Sequence, residues 1–197
     1  MKAYYLIERA LVHFRAKIYT CYAKIRLSLL SVRIGGRLRV SGPLILCIHP
    51  TSNVELGHNV TIHSGSGFNP VGPWRRTTID VSADARLEIG DGVGLSNCTI
   101  VAQKEVLIGS ETQIGGMAEI YDTDFHSIDP VKRLSKPDRE IGRAPVRIGQ
   151  RCFIGAGSVI LKGVEVGDEA IVGAGSVVTK SVPAGEIWAG NPARYIR

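Results

Sequence analysis

A histidine with two carboxylates close by is the first candidate for chemistry in this chain. His126 ends the run Tyr121-Asp122-Thr123-Asp124-Phe125-His126. An imidazole supplies a base near neutral pH, and a neighbouring carboxylate can orient it and stabilise its charged form. Asp122 and Asp124 are the two candidates, with Asp124 preferred. The local sequence fits equally well a surface histidine among solvated aspartates.

His58 and His63 are a second pair, five residues apart. That spacing is similar to the zinc pair of γ-class carbonic anhydrases. Zinc needs a third protein ligand and an open position. His49 is too close to supply one, and His13 lies in a helical segment. The expectation is two polar residues at turns and no metal site, with a metalloenzyme as the alternative. No GxSxG, GxxxxGK[ST], HExxH or EF-hand pattern occurs. Two segments of small residues, Ile154-Gly155-Ala156-Gly157-Ser158 and Val172-Gly173-Ala174-Gly175-Ser176, leave a smooth surface. An extended ligand can lie there and bond to backbone groups. Lys162, Lys180 and Arg194 are near enough in sequence to meet phosphates.

What positions these residues is a period of six. Ile148, Ile154, Ile160, Val166, Val172 and Val178 keep strict spacing, and Gly149, Gly155, Gly167 and Gly173 directly follow four of them. Small residues recur at Cys152, Ser158, Ala170 and Ser176. Shorter blocks run Ile108, Ile114, Ile120 and Ile89, Leu95, Val101. A helix of 3.6 residues per turn would smear these positions over several faces. A parallel β-helix explains them: each hexapeptide makes a short strand and a corner, and three make one triangular coil. Ile148 then stacks on Val166, Ile154 on Val172 and Ile160 on Val178. Glycine is expected to let the chain turn at the corners. The repeat breaks at 68–78 and, for longer, at the charged segment 122–146, whose base the scaffold holds.

Residues 2–30 contain neither Gly nor Pro. Tyr4, Ile7, Leu11, Phe14, Ile18, Cys21 and Ile25 form one stripe of a helix, which Gly35-Gly36 is expected to end. Residues 1–33 carry seven bases (Lys2, Arg9, Arg15, Lys17, Lys24, Arg26 and Arg33) against the single acid Glu8. Residues 34–197 balance at 17 of each sign, so the whole net charge of +6 sits on the arm. This argues against a nucleic-acid footprint on the body. The arm either packs on the chain's own body or a neighbouring subunit, or lies on an anionic membrane surface. No apolar run is long enough for a membrane span or signal peptide. Cys21, Cys47, Cys98 and Cys152 form no CxxC pair and suit reduced thiols in the cytoplasm. The 23 glycines in 197 residues exceed the ~7% of ordinary chains.

The hexapeptide blocks, the His126 loop and the ending Gly190-Asn191-Pro192-Ala193-Arg194-Tyr195-Ile196 resemble the left-handed β-helix acyltransferases. Among these the chain is similar to galactoside and maltose O-acetyltransferases. It resembles still more those of bacterial exopolysaccharide and capsule pathways of the colanic-acid type, which show a DTDFH-like motif and a basic N-terminal helix. The resemblance implies an all-β fold: a left-handed parallel β-helix over 34–197 with an N-terminal amphipathic α-helix over 1–33. It implies an acetyl-CoA-dependent transfer to a sugar hydroxyl, with no metal, in a cytoplasmic homotrimer whose sites lie between subunits. Transfer to serine or to an amino-sugar nitrogen is the other option within the family. His126 matches the catalytic histidine, and Ser96-Asn97 lies where an asparagine serves the acceptor. Phe153 matches the aromatic beside pantetheine. Ala156 corresponds to the amide that meets the thioester carbonyl. Gly155, Ala174, Thr179, Lys180 and Arg194 match positions along the coenzyme.

Overall fold

The computed structural model describes residues 2–72 and 74–197, without the side chains of 2 and 3; Met1 and Pro73, the latter inside the 68–78 break, lie outside the described residues. Helix α1 (Lys2–Leu29) comes first. It ends ahead of Gly35, not at it. Ser31 takes the left-handed conformation (φ 58°), and the Val32 amide donates to the Leu27 carbonyl at 3.0 Å. That pattern satisfies the last carbonyls with a non-glycine residue.

The rest of the chain winds through three parallel sheets, with each strand pairing with the one three strands later. The first face holds Arg33–Ile34, Asn53–Leu56, Arg86–Ile89, Glu105–Ile108, Val146–Ile148 and Glu165–Val166. The second holds Leu38–Ser41, Val60–His63, Gly94–Ser96, Gln113–Ile114, Phe153–Ile154 and Ile171–Val172, closed by the C-terminal hairpin Ile187–Gly190 and Ala193–Tyr195. The third holds Ile45–Ile48, Thr78–Val81, Thr99–Ala102, Glu119–Tyr121, Val159–Ile160 and Val177–Val178. The expected stacking is found: Ile148 pairs with Val166, Ile154 with Val172 and Ile160 with Val178. These aliphatic side chains are buried. Ser158 and Ser176 point inward too, and both hydroxyls donate to the Gly173 carbonyl, at 2.9 and 2.6 Å, as buried hydroxyls must find partners.

The glycines after the aliphatic positions serve close approach rather than an unusual turn. A Cβ on Gly115 would stand 2.6 Å from the Ala156 nitrogen of the next coil, and one on Gly155 would strike the Ala174 nitrogen. Positive φ falls instead two residues later, at Gly157 (68°) and Gly175 (69°).

One face of α1 caps the open end of the second sheet. Ala23 and Leu27 are buried against the coil. The Thr20 hydroxyl donates to the Val40 carbonyl at 3.0 Å and accepts from the Val40 amide at 2.9 Å. This satisfies a sheet edge that would otherwise be bare. The stripe identified from spacing is on another face: Tyr4, Ile7, Leu11, Phe14, Ile18 and Ile25 are all exposed. It does not pack on the chain's own body.

Candidate active site

The two long breaks leave from the two edges that bound the third face. Residues 64–77 join the second face to the third, and residues 122–145 join the third back to the first. The second break carries His126 and is tied at its root. Thr123 bridges Arg143 in antiparallel fashion. The amides of Asp124 and Ala144 donate to the carbonyls of Gly142 and Asp122, each at 2.9 Å. Short helix α2 (Pro130–Arg133) is capped by Asp129, and Arg133 Nη1 donates to the Ser127 carbonyl at 2.9 Å.

His126 projects from this root with a side chain 73% exposed. Its partner is neither of the expected carboxylates. Asp138 Oδ2 lies 3.0 Å from His126 Nδ1, and the same carboxylate accepts from the Ser127 amide at 3.3 Å. Asp122 is turned inward instead. It accepts from the amides of Gln103 (2.8 Å), Lys104 (2.6 Å) and Glu105 (2.7 Å), so it locks the neighbouring corner. Burial raises its carboxyl above the ordinary range, and the three backbone donors pull the other way. Asp124 pairs with Lys162, 3.3 Å from Nζ to Oδ1, and its carbonyl accepts from the His126 amide at 2.7 Å. Sequence spacing did not single out Asp138, because it stands 12 residues from His126 across a non-repetitive segment.

Asn97 also departs from its expected role. Its side chain is buried, with Oδ1 accepting from the Gly65 amide (2.7 Å) and Nδ2 donating to the carbonyls of Val71 (2.8 Å) and Gly72 (2.9 Å). Both amide hydrogens and the oxygen are engaged in holding the 64–77 segment on the coil, and the side chain is buried away from any acceptor. Ser96 is half-buried beside it, at the end of its strand. The same segment reaches the middle of the third face, where Arg75 Nη1 meets Glu119 Oε1 at 2.6 Å.

The remaining expected residues divide between edges. Gly155, Ala156 and Ala174 lie where the second face turns into the third. Among the described residues the amides of Ala156 and Ala174 donate to no acceptor. Phe153, 50% exposed, leads into this edge from the second face. Thr179 and Lys180 are exposed at the opposite edge of the third face, the one that carries His126. Arg194 is exposed on the C-terminal hairpin. A concavity of about 820 Å³ runs along the first face, and among the described residues none of the 122–145 segment lines it. It is floored by a ladder in which Arg147 bridges Glu105 and Glu165, and the charges satisfy one another. His58 and His63 are exposed on the second sheet and its entry corner; among the described residues no group of three metal-ligating side chains is gathered.

With this geometry the chain can be set beside known proteins. Residues 145–180 match the family described as hexapeptide repeat of succinyl-transferase. Nodulation protein L of Rhizobium meliloti (strain 1021) is 49% identical over 68 residues, which are 34% of this chain. The match spans only 35% of that relative's own length. A galactoside acetyltransferase solved in complex with coenzyme A is 26% identical with a TM-score of 0.55, over 98% of this chain and 78% of that one. AntD, an N-acyltransferase from Bacillus cereus solved with dTDP and 3-hydroxybutyryl-CoA, superposes with a TM-score of 0.69 over 88% and 87% of the two chains. At 18% identity that likeness is one of fold alone. The chain is thus similar to the hexapeptide-repeat acyltransferases in both repeat and fold.

Proposed function

We propose that this protein is an acetyl-CoA-dependent O-acetyltransferase acting on a sugar hydroxyl in the building of a bacterial surface polysaccharide. In this reading residues 34–197 are a left-handed β-helix, residues 1–33 an appended arm, and the working form is a cytoplasmic homotrimer. The observation that carries it is the exposed His126 with a carboxylate on Nδ1, which leaves Nε2 open to an incoming hydroxyl. As Nε2 takes the proton, the acceptor oxygen bonds to the thioester carbonyl carbon. The amide of Ala156 supports the developing oxyanion. The C–S bond then breaks, and the imidazolium returns its proton to the leaving thiolate.

Supporting a multimer, the imidazole and the Ala156 amide stand on opposite edges of the third face. A strand of three or four residues is ~10–13 Å long, too far for both to act on one carbonyl. A second copy laid against that face can bring its own edge to the first copy's histidine. Phe153 would flank the pantetheine, Ser96 would border the acceptor, and Thr179, Lys180 and Arg194 would meet the nucleotide end. The test is thiol release from acetyl-CoA with a panel of galactosides, glucosides and amino sugars, wild type against His126→Ala. Turnover undiminished in the variant would sink the assignment. Amino sugars as sole acceptors would move it to nitrogen.

A further inference from the structure

The exposed stripe of α1 has a charge pattern that says what covers it. Tyr4, Ile7, Leu11, Phe14, Ile18 and Ile25 run the length of the helix and are between 49% and 70% exposed. A continuous apolar face of that length marks an interaction surface. At ~100° per residue, Arg15 falls on one flank of the stripe and Lys17 and Lys24 on the other. All three are exposed, and none forms an ion pair among the described residues.

A seam between two copies of α1 would place these cations beside one another. It needs acids at the flanks to offset them, and the helix has only Glu8. Anionic lipid headgroups supply the missing charge on both sides at once. A second observation points the same way. A cavity of about 220 Å³ is lined by Arg15 from the helix and Arg76 from the 64–77 segment, with Tyr19, Phe68 and Trp74. Among the described residues no carboxylate lines it, and Trp74 is 81% exposed. Two guanidinium groups beside aromatic rings suit a phosphate at the level of a membrane interface, where tryptophan and tyrosine are favoured.

We propose that α1 lies in the plane of an anionic bilayer surface, its stripe in the acyl boundary and its flanking cations at the phosphates. The coil then hangs from the membrane by the end that α1 caps. This does not depend on the chemistry at His126, and the His126→Ala protein binds the same vesicles.

The test uses the full chain with vesicles of equal parts phosphatidylglycerol and phosphatidylcholine, against pure phosphatidylcholine. Sedimentation with the anionic vesicles at low salt, released at high salt, is expected. Each of Arg15→Ala, Lys17→Ala and Lys24→Ala should weaken partition by about fivefold. Phe14→Glu with Ile18→Glu, both on an exposed face, should abolish it while the circular dichroism of the folded coil is kept. Cys21 sits on the stripe and Cys47 on the coil, and both thiols are exposed. A water-soluble maleimide should label Cys21 in solution, and the vesicles should protect Cys21 while leaving the labelling of Cys47 as it is without them. Failure of the wild-type chain to sediment overturns the proposal, as does binding untouched by the double variant. Protection of Cys21 without vesicles, lost together with the oligomer in the double variant, assigns the stripe to a second copy and also overturns it.

Discussion

Two edges of the coil are built from the same repeat and end in opposite chemistry. Where the first face turns into the second, the corner amides of His58, Asp91 and Gln150 are each met by a side chain one coil on. The Asp91 carboxylate accepts from His58 at 2.6 Å, the Ser110 hydroxyl from Asp91 at 3.2 Å, and the Asp168 carboxylate from Gln150 at 2.9 Å. The Gln150 amide, foremost, holds the Asp168 carboxyl below its ordinary range. Where the second face turns into the third, the matching residues are Ala156 and Ala174, whose amides meet no acceptor among the described residues. Both rows need glycine for the same close approach. The residue after the glycine decides whether an edge is sealed or offers a line of donors. A row of free donors here comes from leaving a side chain out.

Ways to break this contrast can be ordered by size. His126→Ala removes the proposed base and should lower kcat by ~10²–10⁴-fold, read as thiol release. Ala174→Asp should convert the open edge into a sealed one, since residue 174 stands to Ala156 as Asp168 stands to Gln150. Loss of the Ala156 donor should cost ~10²-fold in kcat/KM, whereas Asp168→Ala on the sealed edge should leave turnover at wild-type level. Asp138→Asn keeps the shape but removes the anion that positions His126. A fall in kcat of between about 10- and 100-fold is expected with KM for acetyl-CoA unchanged and with partial rescue in Asp138→Glu. A purely structural role would instead move melting temperature and KM together. Smallest is a thiol count. Burial pushes the Cys98 thiol up to about 12 and raises Cys152, so two of four cysteines should react quickly with a chromogenic disulfide. Rapid reaction of all four would mean the coils open readily.

The coil was legible because its constraint is periodic: a residue must be aliphatic every six places, and strict spacing from Ile148 to Val178 is hard to reach otherwise. The root of the His126 segment was legible as the place where that period stops. Asp138 was not, because a non-repetitive segment folds through tertiary contacts with no spacing rule. Asn97 misled because an amide beside a long loop looks the same in sequence whether it faces a ligand or, as here, pins that loop to the coil. For α1 the stripe was found, but its direction was not. Thr20, Ala23 and Leu27 dock the helix with small and polar contacts that carry little hydrophobic signal.

The lengths of chain between stacked residues set an order for folding. Ile148 and Val166 are 18 residues apart, Val54 and Leu87 are 33, and Val106 and Val146 are 40. Each doubling of a closed loop costs ~0.6 kcal/mol, so the C-terminal coils nucleate most cheaply and those spanning the breaks close later. During synthesis the first closure to emerge, Leu38 on Val60 at 22 residues, is nearly as cheap; the 33- and 40-residue closures across the two breaks come after it. Winding can therefore start on either side of a break, and the two breaks are the joints at which the separately wound coils are brought together last.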